Sequence, residues 1–370
     1  MKKFLALLLV AALALTFVAC GSKTTEETPA TTEAETYDIV FCADLGTIND
    51  NGFNQGTWEG CQKYAKENNL TCNYLQPAED SDDARITIFT QAVEQWKASV
   101  VVTCGFLWDT ALASVAANYP DVKVIFIDGD ASLNGITNVA PINFAEQEVG
   151  FLAGYACVKE GYRSLAFFGG MAVPAVIRFG YGFVYGADYA AKELGLAKGD
   201  VKMKYWYSGD FNATPEKATT VSGWYETGTE VVFSCGGNIL GSAISAAEAA
   251  EGRYLVGVDT DEAAKSERII TSAMKSLTNA TYSGITAAYA GGADWDAIGG
   301  KLTTYGTANN GVQLPDDFSR FKNFTKADYD AIFAKLAADE GGISSAIPTD
   351  ATYATPDLIP LEYVTLEFLG

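Results

Sequence analysis

From Tyr37 onward the chain alternates short β-rich runs with helical stretches, and this alternation limits its possible folds more than any other feature. Strands are read at "DIVFCAD", "TCNYLQ", "SVVVTCG", "KVIFIDGD", "SLAFFGG", "VKMKYWYSG", "EVVFSCGG" and "YLVGVD". Helical patterns lie between them, near 53–67, 84–97, 109–118, 146–160, 174–194, 214–226 and 240–250. A strand that returns through a helix to the next strand is a βαβ unit, so the pattern predicts parallel sheets with helices on their faces. Several of the strands are nearly all apolar, as strands covered on both faces must be. With 370 residues, 48% of them hydrophobic, the chain is long enough for two lobes with real cores.

The residues at the strand exits are more informative than the strands themselves. Asp44, Gly105, Asp128, Gly169-Gly170, Gly236-Gly237 and Asp259 all stand where a strand hands over to a loop. Open parallel sheets bind ligands outside the carboxyl ends of their strands. Asp and Gly are also ordinary turn residues, but six such exits in one chain outline a crevice.

The start of the chain carries an address. Met1-Lys2-Lys3, an apolar run and then Cys20-Gly21-Ser22 have the form of a signal peptide over residues 1–19. The tetrad "FVAC" resembles a bacterial lipobox, which implies lipidation of Cys20; Phe17 stands where Leu is usual. Residues 20–37, rich in Thr and Glu, have no apolar face to bury and are expected to be a disordered tether. The body is therefore expected outside the cytoplasmic membrane, attached to it through Cys20.

Composition removes whole classes of function. A formal charge of -21 and a pI near 4.3 argue against nucleic acid as a partner. The chain has no His, which excludes Ser-His-Asp triads, His-zinc sites and imidazole acid-base chemistry. Beyond Cys20 the cysteines, at 42, 61, 72, 104, 157 and 235, form no C-x-x-C pair and no disulfide framework. "GYGFVYG" has the wrong spacing for a dinucleotide fingerprint and lies within a helical stretch. "EDSDD" lacks the Gly and distal Glu of an EF-hand and reads as a solvated connection. Thr214-Pro215 reads as a helix start, with Thr214 as the cap.

Longer blocks carry a specific resemblance. "DLGTINDNGFNQGTWEG", "YPDVKVIFID", "NVAPINFAEQEVGFLAGYA", "LAFFGGMAVPAVIRFGYGFVYGADYA", "YSGDFNATPEKA", "VVFSCGG", "VGVDTD" and "ITSAMKSL" occur in that order. Together they resemble the basic-membrane-protein family, purine-nucleoside-binding lipoproteins that serve ABC transporters. The resemblance implies a type I periplasmic-binding-protein fold, with two doubly wound parallel-sheet lobes joined by a three-crossover hinge. It places lobe 1 at 38–141 and 262–293, and lobe 2 at 142–261 and 294–370. It also implies a receptor that performs no chemistry, needs no cofactor or metal, and hands its ligand to a permease.

Residue by residue, the resemblance assigns Phe53 and Phe211 to the two faces of a purine base, one from each lobe. It sets Asp128 on the hydrogen-bonding edge of the base, with Asn54 beside it, and Asp44, Gly236, Gly237, Asp259 and Lys275 around the ribose. The chain departs from the family at Asn49-Asp50-Asn51-Gly52, where Asp-Asp-Lys-Ser is common, a change that bears on ribose contacts or ligand choice. Two further readings stay open: a nucleoside hydrolase using Asp44 or Asp259 as base, and the same cleft tuned to a sugar or another solute. The aromatic pair Trp206-Tyr207 has no assigned purpose, and "IPTDATYATPDLIPLEYVTLEFLG" reads as a strand pair or a strap over one lobe.

Overall fold

The computed structural model describes residues 35–50, 52–349 and 352–370. The leader, Cys20, most of the tether and Asn51 lie outside the described residues. The first half of the body runs β1 (Ile39–Cys42), α1 (Phe53–Asn68), β2 (Cys72–Leu75), α2 (Asp82–Thr90), β3 (Val100–Cys104), α3 (Trp108–Val115), β4 (Lys123–Ile127) and β5 (Val139–Phe144). Next come α4 (Glu146–Glu160), β6 (Ser164–Gly169), α5 (Pro174–Glu193), β7 (Val201–Tyr207), α6 (Pro215–Glu226), β8 (Val231–Cys235), α7 (Ile239–Glu248), β9 (Tyr254–Asp259) and β10 (Ile269–Lys275). The chain closes with α8 (Leu277–Ala290), α9 (Gly292–Ile298), β11 (Thr303–Tyr305), β12 (Val312–Gln313), α10 (Lys326–Ala337) and β13 (Val364–Phe368).

The strands form two sheets, in the orders β11-β5-β4-β3-β1-β2 and β12-β10-β9-β8-β6-β7-β13. Every pairing is parallel except β10 with β12. Each sheet therefore contains the same doubly wound order, with its winding reversed between β1 and β3 in one and between β6 and β8 in the other. Apolar strands supply both faces, as expected: Ile39 and Phe41 join one core cluster while Val40 and Cys42 join another. All six described cysteines are free.

The chain passes between sheets three times, after β5, after β10 and after β11, which is the expected hinge. The crossovers hold one another. The Ala145 amide donates to the Tyr305 carbonyl at 2.9 Å, and the Ser276 amide donates to the Gly311 carbonyl at 2.8 Å. Two strands fall in the other sheet from the one expected: β10, inside the range assigned to lobe 1, pairs with β9, and β11, inside the range assigned to lobe 2, pairs with β5. The sequence pattern marks neither of them as a strand, nor does it mark β5. Pro141 interrupts the pattern of β5, and the polar residues of β10 break its apolar run.

Helices α4 and α5 pack with their backbones in contact. A methyl group at Gly150 or Gly154 would overlap the carbonyl oxygen of Phe179 or Phe183, and one at Gly182 or Gly186 the carbonyl oxygen of Gln147 or Phe151. Two glycines of "GYGFVYG", Gly182 and Gly186, thus serve helix packing, while the third, Gly180, makes room for Tyr205 of β7. In the same way Gly56 and Gly60 let α1 close on Leu277 and Thr281 of α8.

The C-terminal segment is a strap with one strand. β13 pairs along β7 from Val201 to Tyr205, and Asp188 fixes the approach by accepting from the amides of Glu362, Tyr363 and Val364 at 3.1, 2.7 and 2.8 Å. Trp206 stacks on Phe168 with centroids 5.3 Å apart, and the Tyr207 and Tyr205 hydroxyls are 2.8 Å apart. These aromatics pack the second lobe. Thr214 caps α6 by accepting from the Lys217 amide, and Ser81, within "EDSDD", caps α2 in the same manner.

Candidate ligand-binding site

Both reversal points carry the expected residues at the carboxyl ends of the strands. In the first sheet Asp44 follows β1 and Gly105 follows β3. Gly105 has φ +91°, and a methyl group there would stand 2.6 Å from an Asp44 carboxylate oxygen. Glycine is thus required twice over, for its backbone and for the side chain it admits. In the second sheet Gly170 follows β6 and Gly236 follows β8. The Phe211 ring lies against both, in space that side chains at either position would fill.

Phe53 begins α1, directly after the loop that leaves β1. Asp50 organises that start: one of its carboxylate oxygens accepts from the Gly52 and Gln55 amides at 2.8 and 3.1 Å, and the other from the Asn54 amide at 3.0 Å. The acidic side chain satisfies amides that the first turn of a helix leaves free. Asp50 stands in the Asn49-Asp50-Asn51-Gly52 segment where the chain departs from its family, and its role there is to organise the helix start, for which an Asp just ahead of a helix is a recognisable signal.

Asn54 is placed differently from the expectation. It is buried, and its side-chain amide is occupied within the protein: Oδ1 accepts from the Asp44 amide at 3.1 Å and from the Cys104 thiol at 3.4 Å, while Nδ2 donates to Asp50 at 3.0 Å. It ties α1 to the ends of β1 and β3.

Lys275 is the centre of the charged groups. Its Nζ donates to the two Asp128 oxygens at 3.0 and 2.8 Å, and lies 3.0 Å from Glu146 Oε1 and 3.7 Å from Asp259 Oδ1. Its side chain is 1% exposed, and the rings of Phe53, Phe144 and Phe179 have centroids 5.1, 5.4 and 5.5 Å from the ammonium. Glu146 is held from its other side by Arg178 Nε at 2.6 Å. Lys275 was expected near a ribose and Asp128 at a base edge; the fold joins them. Glu146, Arg178, Phe144 and Phe179 were not identified from the sequence, although "NFAEQEVG" places Glu146 directly after a strand.

The aspartates at the centre have unusual backbones. Asp128 has φ +58° and Asp259 φ +65°, in the left-handed region, which Asp tolerates better than most residues but at a cost. Both reach it on leaving a strand, and both carboxylates meet the Lys275 ammonium, at 2.8 and 3.7 Å.

Burial also reshapes the titration of these groups. Burial raises Asp44 to about 6, with partial opposition from the Leu45 amide and Arg85. It raises Asp259 to about 7, opposed mainly by Lys275. Asp128 is raised by burial, with Lys275 pulling the other way. For Glu146, burial is outweighed by Arg178 and Lys275, so it is lowered. For Lys275, burial is outweighed by Asp128, Glu146 and Asp259, and it stays protonated. Burial pushes the Cys104 and Cys235 thiols well up, leaving no thiolate here.

Two cavities lie nearby. One of about 250 Å³ is bordered by Asp259, Lys275, Thr278 and Gln313, and neither Phe53 nor Phe211 lines it. The other, about 720 Å³, lies beside the strap, between Tyr181, Tyr207, Tyr353 and Phe368. Among the described residues no cluster of three or more acidic or Cys side chains is arranged to hold a metal ion.

The family described as "ABC transporter substrate-binding protein PnrA-like" matches residues 38–343. The chain belongs to this family. Among curated members, the ABC transporter nucleoside-binding protein BmpA of Lactococcus lactis is 30% identical over 275 residues, 71% of this chain and 75% of that one. An uncharacterised lipoprotein of Pyrococcus furiosus is 29% identical over 56% of this chain and 51% of its own length. Among solved structures, an ABC transporter solute-binding protein from Aeropyrum pernix superposes with a TM-score of 0.66 at 24% identity, covering 85% of this chain and 83% of that one. That likeness shows the periplasmic-binding-protein fold. As a family member, the chain is a solute-binding component of an ABC transporter. The family match stops at residue 343, before the strap and β13.

Proposed function

We propose that this substrate-binding protein captures a purine nucleoside between its lobes, closes on it and delivers it to a membrane permease. The observation that carries this reading is that each sheet presents one Phe at its reversal point, Phe53 beside the Lys275 cluster and Phe211 over Gly170 and Gly236. A base stacked between two such rings gains roughly 1–3 kcal/mol from each. A ligand that touches both lobes stabilises the closed arrangement selectively. The name of the Lactococcus lactis relative, a nucleoside-binding protein, supports the same ligand class.

In this reading Asp128 accepts from the N–H edge of a guanine- or hypoxanthine-like base. Asp44, Asp259, Lys275 and the Gly236-Gly237 backbone receive the ribose, and Asn54 braces the wall. The acidic groups Asp44, Asp128, Glu146 and Asp259 outnumber the cations Lys275 and Arg178 even with Asp259 partly protonated at neutral pH. Such a site disfavours phosphorylated ligands, so a nucleoside suits it better than a nucleotide. The lipidated Cys20 and its tether would hold the body at the outer side of the cell membrane; among the described residues no helix is long and apolar enough to cross one.

The test is calorimetry on protein stripped of carried-over ligand, against inosine, guanosine, adenosine, a pyrimidine nucleoside, a nucleoside monophosphate and simple sugars. The expected result is micromolar or tighter binding of a purine nucleoside, about -8 kcal/mol. Binding of none of them below about 100 μM, roughly -5.5 kcal/mol, removes the ligand assignment. The elevated pKa values of Asp44 and Asp259 support one second reading, a nucleoside hydrolase with either as general base. Free base and ribose accumulating over hours with stoichiometric protein would decide for it.

A further inference from the structure

We infer that Glu146, clamped by Arg178, is a positioning residue that holds the Lys275 ammonium in place and charged when a ligand engages Asp128. The inference rests on the reading of Asp128 as a ligand-facing group.

Asp128 has two oxygens, and Lys275 takes both, at 3.0 and 2.8 Å. A ligand edge that donates to Asp128 shares those oxygens and loosens this pair. An ammonium that is 1% exposed cannot turn to water for compensation. With no other partner it must shed its proton or leave a buried charge uncompensated. Glu146 removes that conflict. Its carboxylate, 0% exposed, already lies 3.0 Å from Nζ through Oε1, and Arg178 holds Oε2 at 2.6 Å.

The frame behind this pair is rigid. Glu146 opens α4 and Arg178 lies near the start of α5. The two helices are in backbone contact through Gly150, Gly154, Gly182 and Gly186, so the spacing of the two charges is set by main chain. Glu146 also directly follows one interlobe crossover, and Lys275 directly precedes another. Glu146 Oε1 meets the ammonium as an ion pair with no hydrogen bond of its own, and beyond Nζ stands Asp259, whose Oδ1 likewise has no hydrogen-bond partner and accepts the ammonium if Glu146 lets it go.

The test compares wild type, Glu146→Gln, Arg178→Met and Arg178→Lys by calorimetry with guanosine and inosine from pH 5.5 to 8.5. Asp259 is faced by Lys275 of β10, Asp128 after β4, Glu262 in the loop that follows β9, and Glu146 of α4, with Cys235 of β8 beside it. Glu146→Gln and Arg178→Met are expected to weaken binding at least tenfold, and Arg178→Lys by less than threefold. The pH midpoint of binding is expected to fall by at least half a unit in Glu146→Gln, because the ammonium turns to Asp259 and the Glu146 charge no longer raises it.

An unchanged midpoint in Glu146→Gln overturns the inference whatever happens to affinity. If Glu146→Gln does not fold, Arg178→Met against Arg178→Lys carries the same comparison. If the wild type binds neither of these nor adenosine, the purine reading fails and the positioning role is decided without ligand. A double-mutant cycle of Glu146→Gln with Lys275→Met is then read in unfolding equilibrium constants. Coupling of tenfold or more, about 1.4 kcal/mol, supports the inference, and additivity overturns it.

Discussion

The Lys275 ammonium spans the two carboxylate oxygens of Asp128, at 3.0 and 2.8 Å, and so joins the last residue of a strand in one sheet to the residue after a strand in the other. Lys275 is buried and Asp128 largely so, and the pair links the lobes next to the crossovers, where a small change in one contact is felt by both.

Removing Lys275 leaves the Asp128 carboxylate without the cation that both of its oxygens bind, and Glu146 and Asp259 lose the same partner. Lys275→Met is expected to destabilise the protein by about 3–5 kcal/mol. Asp128→Asn added to Lys275→Met should recover part of that loss, because it removes the carboxylate left without its cation. Urea unfolding followed by tryptophan fluorescence measures both, and strict additivity of the two changes would contradict the pairing.

The aromatic walls should act on binding far more than on folding. Phe53→Ala and Phe211→Ala are each expected to weaken purine nucleoside binding at least tenfold, about 1.4 kcal/mol. Both side chains are only partly buried, so the folded state should survive. Calorimetry beside circular dichroism separates the two effects; wild-type affinity in both variants means the cleft wall is elsewhere.

The raised carboxylates make stability depend on pH in a defined direction. Asp259 titrates at about 7 in the folded protein against 3.8 ordinarily. Between those values the unfolded chain has released a proton that the folded one keeps, so this group's contribution is full below about pH 4 and is lost as pH rises toward 7. Asp44, at about 6, acts in the same sense. Thermal unfolding of wild type minus Asp259→Asn, followed from pH 4 to 8, should therefore fall across this window. A rise, or a flat difference, would falsify the assignment.

The glycines of α4 and α5 should be intolerant and that of α6 tolerant. A Cβ in Gly154→Ala would meet the Phe183 carbonyl, which belongs to the backbone and cannot swing aside. The expected loss is about 1–3 kcal/mol or more. Gly223, within α6, has open space where its Cβ would be, so Gly223→Ala should be stabilising by roughly 0.5–1 kcal/mol through helix propensity. Melting temperatures of the two variants test the contrast.

The parallel-sheet architecture was legible because the relevant signals are local. Apolar β-rich runs such as "VVVTC" can bury both faces only inside a covered parallel sheet, and Asp or Gly at their exits marks the ligand edge. Strands whose signal is not local were lost: Pro141 masks β5, and the polar face of β10 masks the strand that ends in Lys275. The purpose of glycine in α1, α4 and α5 was hidden as well, since only a neighbouring helix explains why no side chain fits.

For the site, the order of residues along the chain is enough to establish which of them stand at strand exits, that no imidazole chemistry exists here, and that Phe53 and Phe211 are candidate stacking groups. It takes the folded chain to make Asp128 and Lys275 partners, to commit the Asn54 amide to bracing the first sheet, and to complete the charge cluster with Glu146 and Arg178. The reason is physical. Identity and periodicity act over a few residues, whereas burial, charge pairing and backbone contact depend on segments more than a hundred residues apart, as Asp128 and Lys275 are.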